Sequence, residues 1–135
     1  SVVIFCIKMI AEYNQFENIP LLMPFLKNSN EEVRLETIKS LCKMEHGELL
    51  THITTSFSAE TQLIKKEMLE TIQSIGSYDN LEALIPAMSK EKWNIKIEFH
   101  KASCHFKPEL KYTVFSKKVG GIEEAPTTPT IAHGF

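Results

Sequence analysis

The sequence has little of what marks a secreted, membrane-spanning or nucleic-acid-binding protein. Its three cysteines are widely spaced and form no CxxC pair, which favours reduced thiols over a disulfide scaffold. The net charge of −2 argues against a surface devoted to a phosphate backbone. The apolar opening, Val2–Ile7, is too short to span a bilayer, and no basic stretch precedes it as in a signal peptide. These absences predict a cytoplasmic location, or the cytoplasmic part of a larger protein.

What the sequence does contain is the composition of a soluble globular domain. Hydrophobic residues make up 43% of the chain and charged residues 24%. A chain of 135 residues can form one domain that buries about two-thirds of the surface exposed when it is unfolded. Because the sequence lacks an initiator Met and begins inside a repeat, we expect a piece of a longer protein.

Apolar residues recur every 31 positions when three segments, Val2–Pro24, Val33–Thr55 and Ile64–Pro86, are aligned. Such a period is typical of stacked units that are each too small to bury their own apolar face. It predicts an all-α fold, an α-α superhelix (solenoid) of stacked antiparallel helix pairs with about seven helices. The aligned columns are Val2, Val33 and Ile64; Ile7, Ile38 and Leu69; Ile10, Leu41 and Ile72; Ile19, Leu50 and Leu81; Leu22, Ile53 and Leu84; and Leu26, Phe57 and Met88.

Each repeat is predicted to hold two helices. Ile19–Leu26 and Glu32–Met44 both place apolar residues at helical spacing, and they form the first and second helix of one pair. Pro24 and Pro86 occupy the same column inside first helices, where proline removes a backbone hydrogen bond. We therefore expect the first helix to bend. In the last repeat the register is expected to slip by one residue, so that Phe99 and Ala102 replace Leu69 and Ile72.

Capping signals lie near the predicted helix ends. Ser29 to Glu32 has the form of a capping box, and Asp79 to Glu82 is an acidic version of it. Gly76 and Asn14 share a column suited to the left-handed residue that ends a helix. The equivalent residue in the middle repeat is Glu45, which predicts a variant turn there.

The run from Ile19 to Arg34 resembles a HEAT repeat, with a proline-containing first helix, a polar turn and Val33-Arg34 opening the second helix. It is most similar to the short HEAT-like units common in bacteria. The similarity covers residues 2–105, although Val-Arg becomes Ile64-Lys65 in the next unit. No ankyrin or tetratricopeptide pattern fits as well.

The resemblance implies a function and a binding face. HEAT arrays present their second helices on the concave face, so this chain is expected to be a non-catalytic scaffold or adaptor that binds a polypeptide partner there. The mixed signs of the polar columns favour a polypeptide over a phosphate polymer. The partner-binding residues predicted in this way are Arg34 with Lys65, Glu36 with Glu67, Lys39 with Glu70, and Lys43 with Ser74.

The domain organisation is predicted to have three parts. Residues 1–106 form the solenoid, residues 107–118 form a C-terminal cap, and residues 119–135 form a flexible tail rich in Gly, Pro and Thr. A cap is the expected role because a solenoid needs a polar end. The alternative is that the tail is a linker or a peptide that docks on a partner.

Few residues suggest a catalytic, metal-binding or phosphate-binding site. His100 and Cys104 share a helix face, but no second pair completes a zinc site. Cys42 follows the core residue Leu41 and is expected to pack rather than react. Gly120-Gly121 follows no strand and forms no phosphate loop. We therefore expect no enzyme activity, no cofactor and no metal.

Two alternative functions stay open. Lysines outnumber acids between Lys90 and Lys118, so a nucleic-acid-binding HEAT-like domain is one alternative. The catalytic aspartate of HEAT-like DNA glycosylases has no counterpart, because the only aspartate, Asp79, lies in a predicted turn. The other alternative is an enzyme-associated domain of the bilin-lyase kind, for which no residue pattern is evident.

Overall fold

The computed structural model describes residues 1–112, and over that range the chain is helical with no strand. It divides into two compact units, one from Ser1 to Gly76 and one that begins at Ser77. The described residues form eight α-helices, which are α1 (Val2–Glu12), α2 (Ile19–Leu22), α3 (Glu31–Lys43), α4 (Glu48–Ser56), α5 (Gln62–Ile75), α6 (Tyr78–Glu82), α7 (Ile85–Met88) and α8 (Trp93–Phe106). If α6 and α7, which a turn before Pro86 separates, are counted as one first helix, the number is the seven that the sequence predicts. Short 3-10 segments cover Phe16–Asn18, Met23–Lys27, Phe57–Ala59 and Pro108–Tyr112.

The second helices bury equivalent positions. Moved by 31 positions, all buried residues of α5 except Leu69 fall on buried residues of α8, and Leu69 falls on His100, which is half-buried. The predicted slip of one residue in the last repeat is therefore wrong. Phe99 takes the place of Met68, and Ala102 takes the place of Thr71. The sets are Val33, Thr37, Ile38, Ser40 and Leu41 in α3; Ile64, Lys65, Met68, Leu69, Thr71 and Ile72 in α5; and Ile95, Lys96, Phe99, Ala102 and Ser103 in α8.

Three members of the predicted apolar columns are not buried. Val2 is exposed, and Ile10 is only half-buried. Leu50 is also half-buried, because its neighbour Leu49 faces the core in its place. The other members of the six columns are buried.

In the unit Ser1–Gly76, α1 packs against α3, and α3 packs against α5. The Met23–Lys27 segment and α2 also pack on α3. Stacking one second helix on the next removes apolar surface that a single helix pair would leave in water.

Prolines break two of the first helices, as predicted. α2 ends at Leu22, and the Met23–Lys27 segment carries Pro24 in its first turn. Likewise α6 ends at Glu82, and Pro86 lies in the first turn of α7. Proline is tolerated at such positions because those N–H groups lack an intrahelical partner anyway.

The predicted caps need correction at the helix starts. Asn30, not Ser29, caps α3, since its Oδ1 accepts hydrogen bonds from the backbone N–H groups of Glu32 and Val33. α6 begins after Ser77 rather than at Asp79, and the backbone N–H of Ser77 donates to Asn80 Oδ1 at 2.8 Å.

The helix ends also differ from prediction. Asn14 is left-handed as expected, with φ of 50°, but Glu45 has the same conformation with φ of 54° and is not a variant. Gly76 is extended, with φ of −105° and ψ of −158°, so the left-handed conformation predicted for it is wrong. The chain is already extended there because it leads directly into the cap residue Ser77.

In the second unit, α6 packs against α8, and the Pro108–Tyr112 segment also packs against α8. The ammonium of Lys107 lies 4.1 Å from the centre of the Tyr78 ring. This segment is the described part of the predicted cap at 107–118. The rest of the cap and the predicted tail at 119–135 lie outside the described residues. None of the helices within residues 1–112 is long and apolar enough to cross a membrane.

Candidate partner-binding face and a groove

Two of the eight predicted partner-binding residues are used for packing within the unit Ser1–Gly76. The guanidinium of Arg34 binds the Glu60 carboxylate through Nε at 3.0 Å and Nη2 at 3.1 Å. Its Nη1 donates to the carbonyl oxygens of Asn28 and Ser29. Lys65 is only 7% exposed, and its ammonium lies 5.7 Å from the centre of the Phe57 ring. The expectation that these two side chains face solvent is therefore not met.

The other six residues lie on the outward side of α3 and α5. Lys39, Lys43, Glu70 and Ser74 are exposed or half-buried, as are Glu36 and Glu67, and none of the six is buried. We call these six residues the polar face.

Four residues of the polar face, Glu36, Lys39, Glu67 and Glu70, lie close enough for their charges to interact. Burial raises the pKa of Glu67, and the nearby carboxylates of Glu70 and Glu36 raise it further, while Lys39 and Lys66 oppose the shift. The interacting side chains come from both α3 and α5, and their equivalent positions in the 31-residue repeat predict that they lie on the same face. Desolvation and nearby like charges both favour the neutral form of a carboxyl group.

The same face continues onto α1. The ammonium of Lys43 lies 2.8 Å from Oε1 of Glu12, which occupies the equivalent position one repeat earlier. This contact lowers the pKa of Glu12 through the hydrogen bond and the charge of Lys43. Both side chains are well exposed, so the pair contributes little stability but marks how neighbouring second helices are aligned.

A groove of about 1080 Å³, for which the sequence gives no prediction, lies in the unit Ser1–Gly76. It lies between α4 and the segment at 16–27, which Pro24 breaks. The lining residues are Phe16, Ile19, Pro20, Met23, Pro24, Leu26, Lys27, His46, Glu48, Thr51 and His52. Pro24 is the one feature of the sequence that points to this region. The groove itself could not be predicted, because its shape depends on how two first helices pack.

Two of the polar residues that line the groove are histidines, His46 and His52. Burial lowers the pKa of His52, Lys27 lowers it further, and Glu60 opposes the shift. Nδ1 of His52 lies 3.4 Å from the Ser56 hydroxyl. The Nε2 atoms of His46 and His52 are buried and have no hydrogen-bond partner among residues 1–112. Glu48 lies near, with Oε1 at 3.6 Å from Nε2 of His46.

His100 and Cys104, the pair that shares a helix face, show no feature of a reactive or metal-binding site. Nε2 of His100 lies 3.5 Å from Sγ of Cys104, as their spacing on α8 predicts. Burial raises the pKa of the Cys104 thiol and lowers that of His100, so both groups favour their neutral forms. The described part of the chain holds no cluster of three or more side chains suited to a metal ion.

Comparisons of this chain with protein-family models, curated proteins and solved structures found no match.

Proposed function

We propose that this chain is a non-catalytic protein-interaction module, an α-solenoid of HEAT-like pairs whose polar face binds a polypeptide partner. The observation that carries the proposal is the cluster of Glu36, Lys39, Glu67 and Glu70, whose charges interact across α3 and α5. Side chains of both signs on one face suit a polypeptide, whereas a phosphate polymer requires a consistently positive surface.

The assignment as a non-catalytic module has a chemical basis. A cysteine nucleophile reacts as the thiolate, and burial raises the pKa of the Cys104 thiol. Arg34 and Glu60, which could act as a charged pair in a site, bind each other instead, and Arg34 also donates to backbone carbonyl oxygens. A cytoplasmic location is part of the same proposal, since three free thiols suit a reducing compartment.

Selection from a displayed library of random peptides tests the proposal and requires no identified partner. Peptides selected on the full chain should bind at least about 10-fold more weakly to a Lys39→Glu, Glu70→Lys double variant, since charge complementarity on the face is reversed. The double variant keeps the net charge, so a general charge effect is excluded. Lys27→Glu, a change at the groove, is the matched control and should leave binding unchanged.

Other results would contradict the proposal. Peptides that lose affinity with Lys27→Glu but not with the double variant would assign recognition to the groove. Failure to select any peptide, together with tight binding of a DNA duplex at physiological salt, would favour the nucleic-acid alternative, because purely electrostatic DNA binding weakens steeply as salt rises.

A further inference from the structure

The two sides of the groove in the unit Ser1–Gly76 differ in chemistry. The segment at 16–27 lines it with apolar residues and, at the end of that segment, with Lys27. The lining residues that come from α4 and the turn before it are all polar, namely His46, Glu48, Thr51 and His52. A groove with one apolar side and one polar side fits a ligand that has an apolar body and a polar group.

The apolar side of the groove leaves surface open to solvent. Phe16 lines the groove and is nevertheless 55% exposed. Pro20 and Pro24, which also line it, are exposed as well. Because apolar surface in contact with water is unfavourable, a ligand whose apolar body covers these three residues gains binding free energy.

The charge that the groove offers to a ligand is that of Lys27. This side chain is exposed, and none of the ion pairs formed within residues 1–112 includes it. Two acids lie near the groove, but both have other surroundings. The Glu60 carboxylate is bound by Arg34 at 3.0 Å, and the Glu48 side chain is 79% exposed beside His46. The positive charge of Lys27 is therefore uncompensated and attracts an anion.

His52 adds a neutral hydrogen-bonding group close to Lys27. Burial lowers the pKa of the His52 imidazole and the charge of Lys27 lowers it further, so the two side chains lie near each other. Nδ1 of the ring lies 3.4 Å from the Ser56 hydroxyl, and its buried Nε2 has no partner among residues 1–112. When Ser56 donates to Nδ1, the one proton of the neutral ring is on Nε2. A rotation of this half-buried side chain, a change that is common on binding, then brings that N–H to an anion beside Lys27.

We propose that the groove is a binding site for a small carboxylic acid with an apolar body. The body lies against Phe16 and the two prolines, and the carboxylate accepts hydrogen bonds from the Lys27 ammonium and from Nε2 of His52. The uncompensated charge of Lys27 favours this occupant over an amine. The groove shares no residue with the polar face, so this proposal and the proposed function can fail separately.

Two probes that share one apolar body test the proposal, namely cinnamate and the uncharged cinnamyl alcohol. Each is titrated into the full chain labelled with nitrogen-15, and binding is followed by the chemical shifts of the backbone amides. Cinnamate should shift amides of the groove, such as those of Met23 and Thr51. It should bind at least about 5-fold more tightly than the alcohol, because only the carboxylate accepts charge-assisted hydrogen bonds.

Single variants separate the charge from the apolar contact. Lys27→Met should weaken cinnamate at least about 5-fold and leave the alcohol unchanged, because it removes the charge and keeps an apolar stem. Phe16→Ser should weaken both probes, since both lose the ring that they cover. The matched control is Lys8→Met, which makes the same change of net charge at an exposed lysine of α1 and should leave both affinities unchanged.

Several results would overturn the proposal. Equal affinity for the two probes would show that the groove does not select an anion, and this comparison in the unaltered chain is decisive even where a variant fails to fold. Amide shifts confined to other parts of the chain, or no binding at millimolar concentration, would show that the groove is not the site. Equal losses with Lys8→Met and Lys27→Met would indicate a general charge effect. Displacement of cinnamate by peptides selected on the chain would assign the groove to a polypeptide instead.

Discussion

Within residues 1–76, α3 and α5 bury equivalent positions along their length, whereas the helices that precede them differ. The helix before α3 is divided into α2 and the 3-10 segment Met23–Lys27. The helix before α5 runs unbroken through the nine residues of α4, and its 3-10 turn follows only at Phe57. Within these residues the repeat thus shows two backbone paths in its first helix and one path in its second helix.

The difference follows from what each helix contacts. α3 packs on α1, α5 and its own first helix at once, so a change of path there would disturb several contacts. A first helix needs only to keep its apolar column buried, and both versions do so. Leu22 and Leu26 are buried on the broken path, and Ile53 and Phe57 are buried on the unbroken one.

The largest expected effect is in the second helices. Ile38→Ala and Leu69→Ala should each lower the free energy of unfolding by about 2–5 kcal/mol, because both side chains are fully buried and truncation leaves a cavity. Urea denaturation measures this, and Lys39→Ala, next to Ile38 but exposed, is the control and should cost under about 0.5 kcal/mol. Equal, small losses at Ile38 and Lys39 would contradict the 31-residue register.

The next effect sharpens the comparison between the two first helices. Thr55→Pro places proline at the position that Pro24 occupies one repeat earlier, but inside the continuous helix α4. It should cost about 3 kcal/mol, because the ring clashes with the preceding turn and a backbone donor is lost. Pro24→Ala should cost less than about 1 kcal/mol, since the helix is already interrupted at Leu22. If Thr55→Pro proves as mild as Pro24→Ala, the two paths are interchangeable and the contrast between them is wrong.

The smallest effect concerns pH and the polar face on the second helices. The pKa of Glu67 is raised in the folded chain, so its ionised form disfavours folding at neutral pH. Glu67→Gln should therefore raise the melting temperature slightly at pH 7. The gain should shrink as pH falls through the raised pKa of the folded chain, and vanish below the ordinary value of 4.5. Glu17→Gln removes an exposed carboxylate away from this face and is the control. A gain that persists at pH 3 would show that Glu67 acts through packing rather than charge.

Much of the helical fold could be predicted because its cause is local and periodic. The spacing of Ile38, Leu41 and their equivalents predicts which side of each second helix is buried, and a proline predicts an interruption of the helix. The N-cap of α3 was missed by one residue because Ser29 and Asn30 are both good caps. Only the folded turn decides between them: Asn28 Oδ1 accepts a hydrogen bond from the Asn30 N–H, which leaves Asn30 positioned as the cap.

The candidate site was less predictable. Lys65 belongs to a polar column, yet its stem is buried and its ammonium lies near Phe57, because a long side chain can bury its methylene groups. Nothing in the periodicity distinguishes it from Lys39, which is exposed. The groove with His46 and His52 lies between two first helices, and these are the elements whose path varies from repeat to repeat. Its shape is therefore a tertiary property that no single repeat encodes.

The bonds of Arg34 have a consequence for how the unit Ser1–Gly76 opens. One guanidinium connects the turn before α3, through Asn28 and Ser29, with the turn before α5, through Glu60. In a linear array, cooperativity depends on the coupling between neighbouring units. Because this side chain cannot release one turn without losing bonds that orient it toward the other, we expect the two turns to open together. Amide protons at the starts of α3 and α5 should then exchange with solvent in a common opening event.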